Sequence, residues 1–250
     1  MDDTAKELEG RVAIVTGSGR NIGRAIALAL AAGGAAVVVN TRTNRKEAAE
    51  VAHEIEGGGG KALVCLADVA DAAAVRKMAT AAVERFGRID ILVNNAAMRD
   101  EKAFEQMTLA DWRAVMAVIL EGAFLCAQAC LPALRRSGNG AIVNIGGLSA
   151  HTGSKHRAHV IAAKAGLVGL TRALAHDLAA DQVTVNCVSP GLIERPRDQP
   201  EPQHHQVNRT LSGRYGTPAD VAAVVRFLCG PGARYMTGQT IHANGGAFLS

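Results

Sequence analysis

Residues 12 to 25 read Val-Ala-Ile-Val-Thr-Gly-Ser-Gly-Arg-Asn-Ile-Gly-Arg-Ala, an apolar β-branched run that breaks into glycines and resumes with helix formers. A turn of this kind suits a phosphate. Gly17, Gly19 and Gly23 let the backbone approach a ligand closely, and the helix that follows offers unpaired N–H groups and its positive dipole end. Gly17, Ser18, Gly19, Arg20, Asn21, Ile22 and Gly23 are therefore expected to hold a dinucleotide. The spacing is not the common G-x-G-x-x-G, because Ile22 stands where the last glycine would. Asn21 occupies a position where left-handed backbone is needed, and asparagine tolerates that conformation better than most side-chain-bearing residues.

Two further sets of residues could contribute chemistry. After the second apolar run, Asn40-Thr41-Arg42-Thr43-Asn44-Arg45 contains no carboxylate to bond ribose hydroxyls but two arginines. With Arg20 nearby, Arg42 favours a 2′-phosphate, hence NADP over NAD. Farther along, Arg195, Arg197, His204, His205, Arg209 and Arg214 cluster in a stretch rich in proline. If those side chains face a cleft they suit a carboxylate or phosphate; otherwise they belong to a solvated polar loop.

The elements that must position these residues follow from periodicity. Helices are expected over 24–32, 44–56, 71–86, 109–136 and from about 157 to 180. Strands are expected at 12–15, 35–39, 61–66, 89–93, 141–145 and 183–188. Strand and helix alternate, which predicts a parallel sheet with right-handed crossovers. The 250 residues contain no repeat or Pro/Ser-rich linker, so one domain over 1–250 is expected. Aromatics are 3 % and the net charge +4, with no basic run, which argues against nucleic acid and anionic membrane as partners. Cys65, Cys126, Cys130, Cys187 and Cys229 form no Cys-x-x-Cys pair, so no metal site or disulfide framework is expected. The acidic start is unlike a signal peptide, and no uninterrupted apolar run reaches the ~20 residues needed to span a bilayer. A cytoplasmic protein is the expectation.

Thr16-Gly17 through Gly23, Asn94-Asn95-Ala96-Ala97, Ser189-Pro190-Gly191 and Thr237 through Gly246 together closely resemble the short-chain dehydrogenase/reductase family, nearest its β-ketoacyl-carrier-protein-reductase-like branch. The resemblance implies a Rossmann-type three-layer α/β sandwich with a seven-stranded parallel sheet, order 3-2-1-4-5-6-7, and three helices on each face. It implies cofactor contacts from Asp68 and Val69, from Asn94 and Ala96, from Lys164, and from Pro190, Gly191 and Ile193. It also implies a substrate loop at about 192–215 and a homotetramer or homodimer built on the two long helices.

The family's acid–base residues are another matter. Ala162-Ala163-Lys164-Ala165-Gly166 places Lys164 on the family lysine, but Val160 stands on the tyrosine, Gly147 on the serine and Ile119 on the asparagine. Valine and isoleucine carry no proton, and proton transfer is commonly worth ~10²–10⁴-fold. Substitute groups near the vacancy are His156, His159 and Ser149. If the helix runs through Arg157, that residue shares a face with Val160 and Lys164 while His159 turns away. Three readings stay open: an NADP-dependent oxidoreductase acting on a small anionic carbonyl or alcohol with a non-standard proton donor, such as one of these histidines or a bound water; a non-redox enzyme on the same scaffold; and a regulatory protein that binds NADP(H) without turnover.

Overall fold

The computed structural model describes residues 6–194 and 210–249. Strand β1, Val12–Val15, is followed by helix α1, Asn21–Ala32, then β2, Ala36–Thr41, α2, Arg45–Gly57, β3, Ala62–Leu66, and α3, Ala72–Phe86. Next come β4, Ile91–Asn94, helices α4, Leu109–Met116, and α5, Gly122–Ser137, and strand β5, Ala141–Ile145. A short helix α6, Ser149–Thr152, precedes α7, Ala158–Asp177; β6, Thr184–Pro190, α8, Pro218–Cys229, and β7, Thr240–Ala243, complete the order. All strand pairs are parallel and the sheet order is β3-β2-β1-β4-β5-β6-β7, as the sequence and its resemblance led one to expect.

Strand residues are buried on both faces because helices cover both. Ala13, Val15, Ile91, Val93 and Val143 pack into one core with α1, α2 and α8, while the alternate residues Ile14, Leu92, Ile142 and Val185 pack into the other with α3, α5 and α7. The period of two sorts each strand between the layers. Cys126 and Cys130, four apart on α5, are fully buried in the second core and burial pushes both thiols up. All five cysteines are free.

Three details depart from the sequence expectation. The long helix expected over 109–136 contains a π turn at Ala117–Glu121, between α4 and α5. The segment leading to α7 turns sharply, with Gly153 and His156 at φ of 77° and 61°, and α7 starts at Ala158 as expected but ends at Asp177, short of 180. Helix α8 was not singled out from the sequence, although Thr217-Pro218-Ala219-Asp220 carries its start signal: Thr217 and Asp220 form a capping box with Pro218 in the first turn. Two helical runs, Leu109–Ser137 and Ala158–Asp177, are by length and composition apolar enough to cross a bilayer. Neither contains an uninterrupted apolar run of ~20 residues, since Glu121 divides the first and Lys164 the second. Their inner faces form the second core, where Cys126, Cys130, Leu134 and Ala175 meet the sheet.

Asn40 ties three strands together. Its side chain accepts from the Gly17 amide at 3.2 Å and donates to the carbonyls of Cys65 and Ala67 at 3.2 and 3.1 Å. Asn40→Ala would leave those buried backbone groups unmatched, and chemical denaturation should show a loss of about 3 kcal/mol.

Candidate active site

The glycine turn is held by polar side chains beneath it. Asn95 Nδ2 donates to the carbonyls of Thr16 and Gly17 at 2.9 and 3.0 Å, and the Thr16 hydroxyl accepts from the amides of Asn95 and Ala96. Gly17 has φ of 62° and Asn21 φ of 49°, the left-handed conformation expected for that asparagine. A Cβ on Gly23 would lie 2.3 Å from the Gly17 carbonyl oxygen, so only glycine permits the helix to start so close to the turn.

Helix α1 then opens without a cap. Arg20 makes no side-chain bond to its first amides and no acidic residue sits in the first turn, whereas Asn44, Asp71, Thr108 and Thr217 cap α2, α3, α4 and α8. The N–H groups of residues 20–23 are left for an anion. Arg20 and Arg42 are exposed, and the residues before them, Gly19 and Thr41, pack against each other. A phosphate of a dinucleotide fits this arrangement.

Several expected cofactor contacts are redirected by burial. The side chains of Ser18 and Asn40 are sealed under the turn: the Ser18 hydroxyl donates to the Val15 carbonyl at 2.8 Å and accepts from the Asn40 amide at 3.0 Å. Asn94 points inward, donating to Asn144 Oδ1 at 2.9 Å; Asn144 donates to the Thr171 hydroxyl, which donates to the Leu167 carbonyl. Val69 is buried beside Gly122, and Asp68 accepts from the Ala70 amide at 3.0 Å in a local turn. These residues shape the groove by supporting its backbone. Gly19 packs against Thr41, and Ala96 touches Gly17, leaving their main chain at the groove.

Beyond the turn lies a cleft of ≈ 440 Å³ at the carboxyl ends of β4, β5 and β6, where open α/β sheets take ligands. Ile22, Ser149, Lys164, Pro190, Gly191 and Ile193 line it, all of them expected from the sequence. So do Met98, Arg99, Asp100 and Glu101, Ser154, and the face of α7 formed by Arg157, Val160 and Lys164. That face is the one helical spacing anticipated. The segment 98–101 was missed because nothing in its spacing ties it to Lys164 before the sheet is assembled.

Lys164 is buried and its Nζ donates to the Ile145 carbonyl. Desolvation lowers its pKa to about 8, with Arg99 and Arg157 adding repulsion and Cys187 opposing them. The residues that the resemblance sets on the acid–base positions, Val160, Ile119 and Gly147, carry no proton donor. Val160 and Ile119 pack in one cluster with Val115, Ala123, Ala163 and Leu167, and Ile119 sits in the π turn. A Cβ on Gly147 would meet nothing within 4 Å.

The two histidines do not fill the vacancy. His156 is exposed and is not among the residues lining the cleft. His159 is fully buried with Nε2 3.6 Å from Asp100 Oδ2 and does not line the cleft, since its place beside Val160 turns it about 100° around the helix from that face. Of the basic loop, Arg195, Arg197, His204, His205 and Arg209 lie outside the described residues, as does most of the expected 192–215 loop. Arg214 is described and is not a cleft group: it pairs with both Asp220 oxygens at 2.7 and 2.9 Å and, with Thr217, holds that carboxyl well below its ordinary range.

The family profile for Enoyl-(Acyl carrier protein) reductase matches residues 17–247, and the chain belongs to this family, the short-chain dehydrogenases/reductases. It is 40 % identical over 243 residues to 3-oxoacyl-[acyl-carrier-protein] reductase of Synechocystis sp., covering 97 % of this chain and 98 % of that one. It is equally 40 % identical over 245 residues, 97 % of this chain and 98 % of the relative, to (2S)-[(R)-hydroxy(phenyl)methyl]succinyl-CoA dehydrogenase subunit BbsD of Thauera aromatica. Among solved structures it matches a dehydrogenase/reductase of Sinorhizobium meliloti with TM-score 0.93 and 36 % identity, covering 98 % of each chain. A Burkholderia cenocepacia short chain dehydrogenase in complex with NADP matches with TM-score 0.90 and 36 % identity, over 96 % of this chain and 99 % of that one.

The buried ammonium has a consequence for stability. An unfolded lysine holds its proton to about pH 10.4, whereas Lys164 in the fold holds it only to about 8. The unfolded chain therefore binds more protons across that window, and stability rises with pH there. Replacing the group removes a burial cost that is largest below pH 8. Lys164→Met should raise the melting temperature at pH 7, and the gain should shrink as the pH approaches 10. Gly147→Ser, entering open space, should leave the melting temperature nearly unchanged.

Proposed function

We propose that this protein binds NADP(H) and interconverts a carbonyl and a hydroxyl on a small anionic substrate, without a tyrosine as proton donor. The observation that carries it is the uncapped start of α1 beside a turn in which Gly23 admits no Cβ, with Arg20 and Arg42 exposed and no carboxylate at 42–46 directly after β2. The NADP complex of the Burkholderia relative and the reductase and dehydrogenase names of the curated relatives support the reading. The nicotinamide, when bound, supplies or accepts the hydride. Lys164, at the floor of the cleft, holds the nicotinamide ribose. The proton passes to or from water held near Ser149, whose residue lines the cleft where the histidines do not.

A second reading, binding without turnover, is favoured by the apolar cluster that has closed over the positions of Val160 and Ile119. Stoichiometric oxidation of NADPH by a carbonyl substrate decides between the two. In either case we place the protein in the cytoplasm as a homotetramer or homodimer joined through α4, α5 and α7. The outward Leu109 and Phe124, 60 % and 48 % exposed, support that face as the one that is covered.

Fluorescence titration should show NADPH binding at least tenfold tighter than NADH, with Arg42→Ala removing most of the difference and leaving NADH unaffected. Equal affinity of the wild type for both cofactors would exclude the reading. The triple variant Val160→Tyr, Gly147→Ser, Ile119→Asn should gain weak NADPH-dependent reduction of generic ketones, small because the apolar cluster must first accept two polar side chains. If the wild type already reduces them and still does so after His156→Ala, His159→Ala and Lys164→Ala are combined, the assignment of the vacant positions is wrong.

A further inference from the structure

We infer that Lys164 is a site of covalent capture: its amine condenses with the carbonyl carbon of a small ketone or aldehyde that enters the cleft, forming an imine and releasing water. The inference goes beyond the proposed function, since it needs neither a nicotinamide nor a hydride. It also gives Lys164 a use that excludes holding a ribose at the same moment.

Of the seven lysines in the chain, Lys164 is the one that is buried, and it lines the cleft. The others are exposed, apart from Lys102, which is half-buried and paired with Asp111 at 2.6 Å. The Ile145 carbonyl accepts one N–H of Lys164 and so anchors the nitrogen at the cavity floor. Ile145, Val160 and Ile193 line the same cavity, which surrounds that nitrogen with hydrocarbon. Val160 stands one turn before Lys164 on the same helix face. A tyrosine there would set a phenol beside the ammonium; valine sets an isopropyl group, which neither gives nor takes the lysine proton. The titratable and charged groups that bear on Lys164 are Cys187 of β6, which favours its charge, and Arg99 and Arg157, which oppose it. No carboxylate is among them.

These surroundings suit a nucleophile. A lysine is activated by desolvation in an apolar pocket or by a neighbouring cation, and burial, the larger influence here, lowers the Lys164 pKa to about 8. Roughly a tenth of such an amine is neutral at pH 7, against roughly one part in 2,500 of an ordinary lysine. The neutral nitrogen attacks the carbonyl carbon with its lone pair. In the carbinolamine that results the carbon–oxygen bond breaks, and the oxygen leaves as water with one proton from the nitrogen and one from solvent. A protonated carbon–nitrogen double bond remains, carrying the same charge as the ammonium it replaces, and no oxidant or reductant takes part. The cavity of ≈ 440 Å³ has room for a ketone of a few carbons, and the open space beside Gly147 adjoins it.

The test reads an adduct on the cofactor-free protein. Acetone is added at pH 7 with sodium cyanoborohydride, which reduces an iminium to a stable secondary amine, and the isopropyl-bearing lysines are located by peptide mass spectrometry. Lys164 is expected to carry the adduct at least tenfold more than any other lysine. That excess should shrink as the pH approaches 10, where exposed amines lose their protons as well. Acetone bearing heavy oxygen should lose its label to water faster with wild type than with Lys164→Arg, which keeps a charge but forms no imine. Labelling of Lys164 no greater than that of the exposed lysines, an excess that does not change with pH, or label loss undiminished in Lys164→Arg would overturn the inference. The mapping uses the wild-type chain, so it decides the matter even if the variant does not fold. Saturating NADP⁺ should lower the Lys164 adduct at least tenfold and leave the other lysines unchanged. Binding of NADP⁺ without that protection would uphold the imine and remove the ribose contact of the proposed function. Absence of selective labelling in a protein that binds NADP⁺ would remove the imine and leave the proposed function intact.

Discussion

Everything at the ligand end of this protein depends on one close approach, the packing of the Gly17–Gly23 turn onto the end of β4. The Asn95 side chain donates to the carbonyls of Thr16 and Gly17, and Gly23 lies where a single added carbon would collide with the Gly17 oxygen. This contact sets the direction in which α1 leaves the sheet. It also keeps the first amides of α1 at the surface, facing an anion instead of a capping side chain. Asn40 fastens the same turn to β2 and β3 from the other side. The turn is thus held by two side-chain amides, Asn95 from one side and Asn40 from the other.

The cleft beyond it is electrostatically unusual because its cations are concentrated and its proton donors are few. Lys164 is held in low dielectric against the Ile145 carbonyl with two arginines nearby, so desolvation first and their repulsion second bring its pKa down to about 8. The neighbouring positions have become hydrocarbon: Val160 and Ile119 share one cluster with Val115, Ala123, Ala163 and Leu167. An apolar wall beside a desolvated lysine strengthens every charge interaction within the cavity.

The buried polar chain Asn94–Asn144–Thr171–Leu167 shows that the two halves of the site are mechanically joined. It runs from the end of β4 through β5 to the middle of α7. Because each donor in it is matched, it fixes the rotation of α7 relative to the sheet, and with it the face that presents Arg157, Val160 and Lys164 to the cleft. His159 is excluded by the same rotation.

What the sequence determined by itself was local and periodic. Alternating apolar strands and helices dictated the parallel sheet. The glycines at 17, 19 and 23 dictated a turn that approaches phosphate, and spacing along α7 told Arg157, Val160 and Lys164 apart from His159. These are consequences of short-range geometry, legible without knowing what packs where. The tertiary structure decided whatever depends on long-range burial. The side chains of Ser18, Asn40 and Asn94 are bonded inward, to the Val15 carbonyl, the Cys65 carbonyl and the Asn144 side chain. Arg214 is spent on Asp220, and Arg99 and Glu101 enter the site only when the segment after β4 folds across α7. A side chain's chemistry is set by the groups that surround it, and those come from parts of the chain that sequence spacing does not connect.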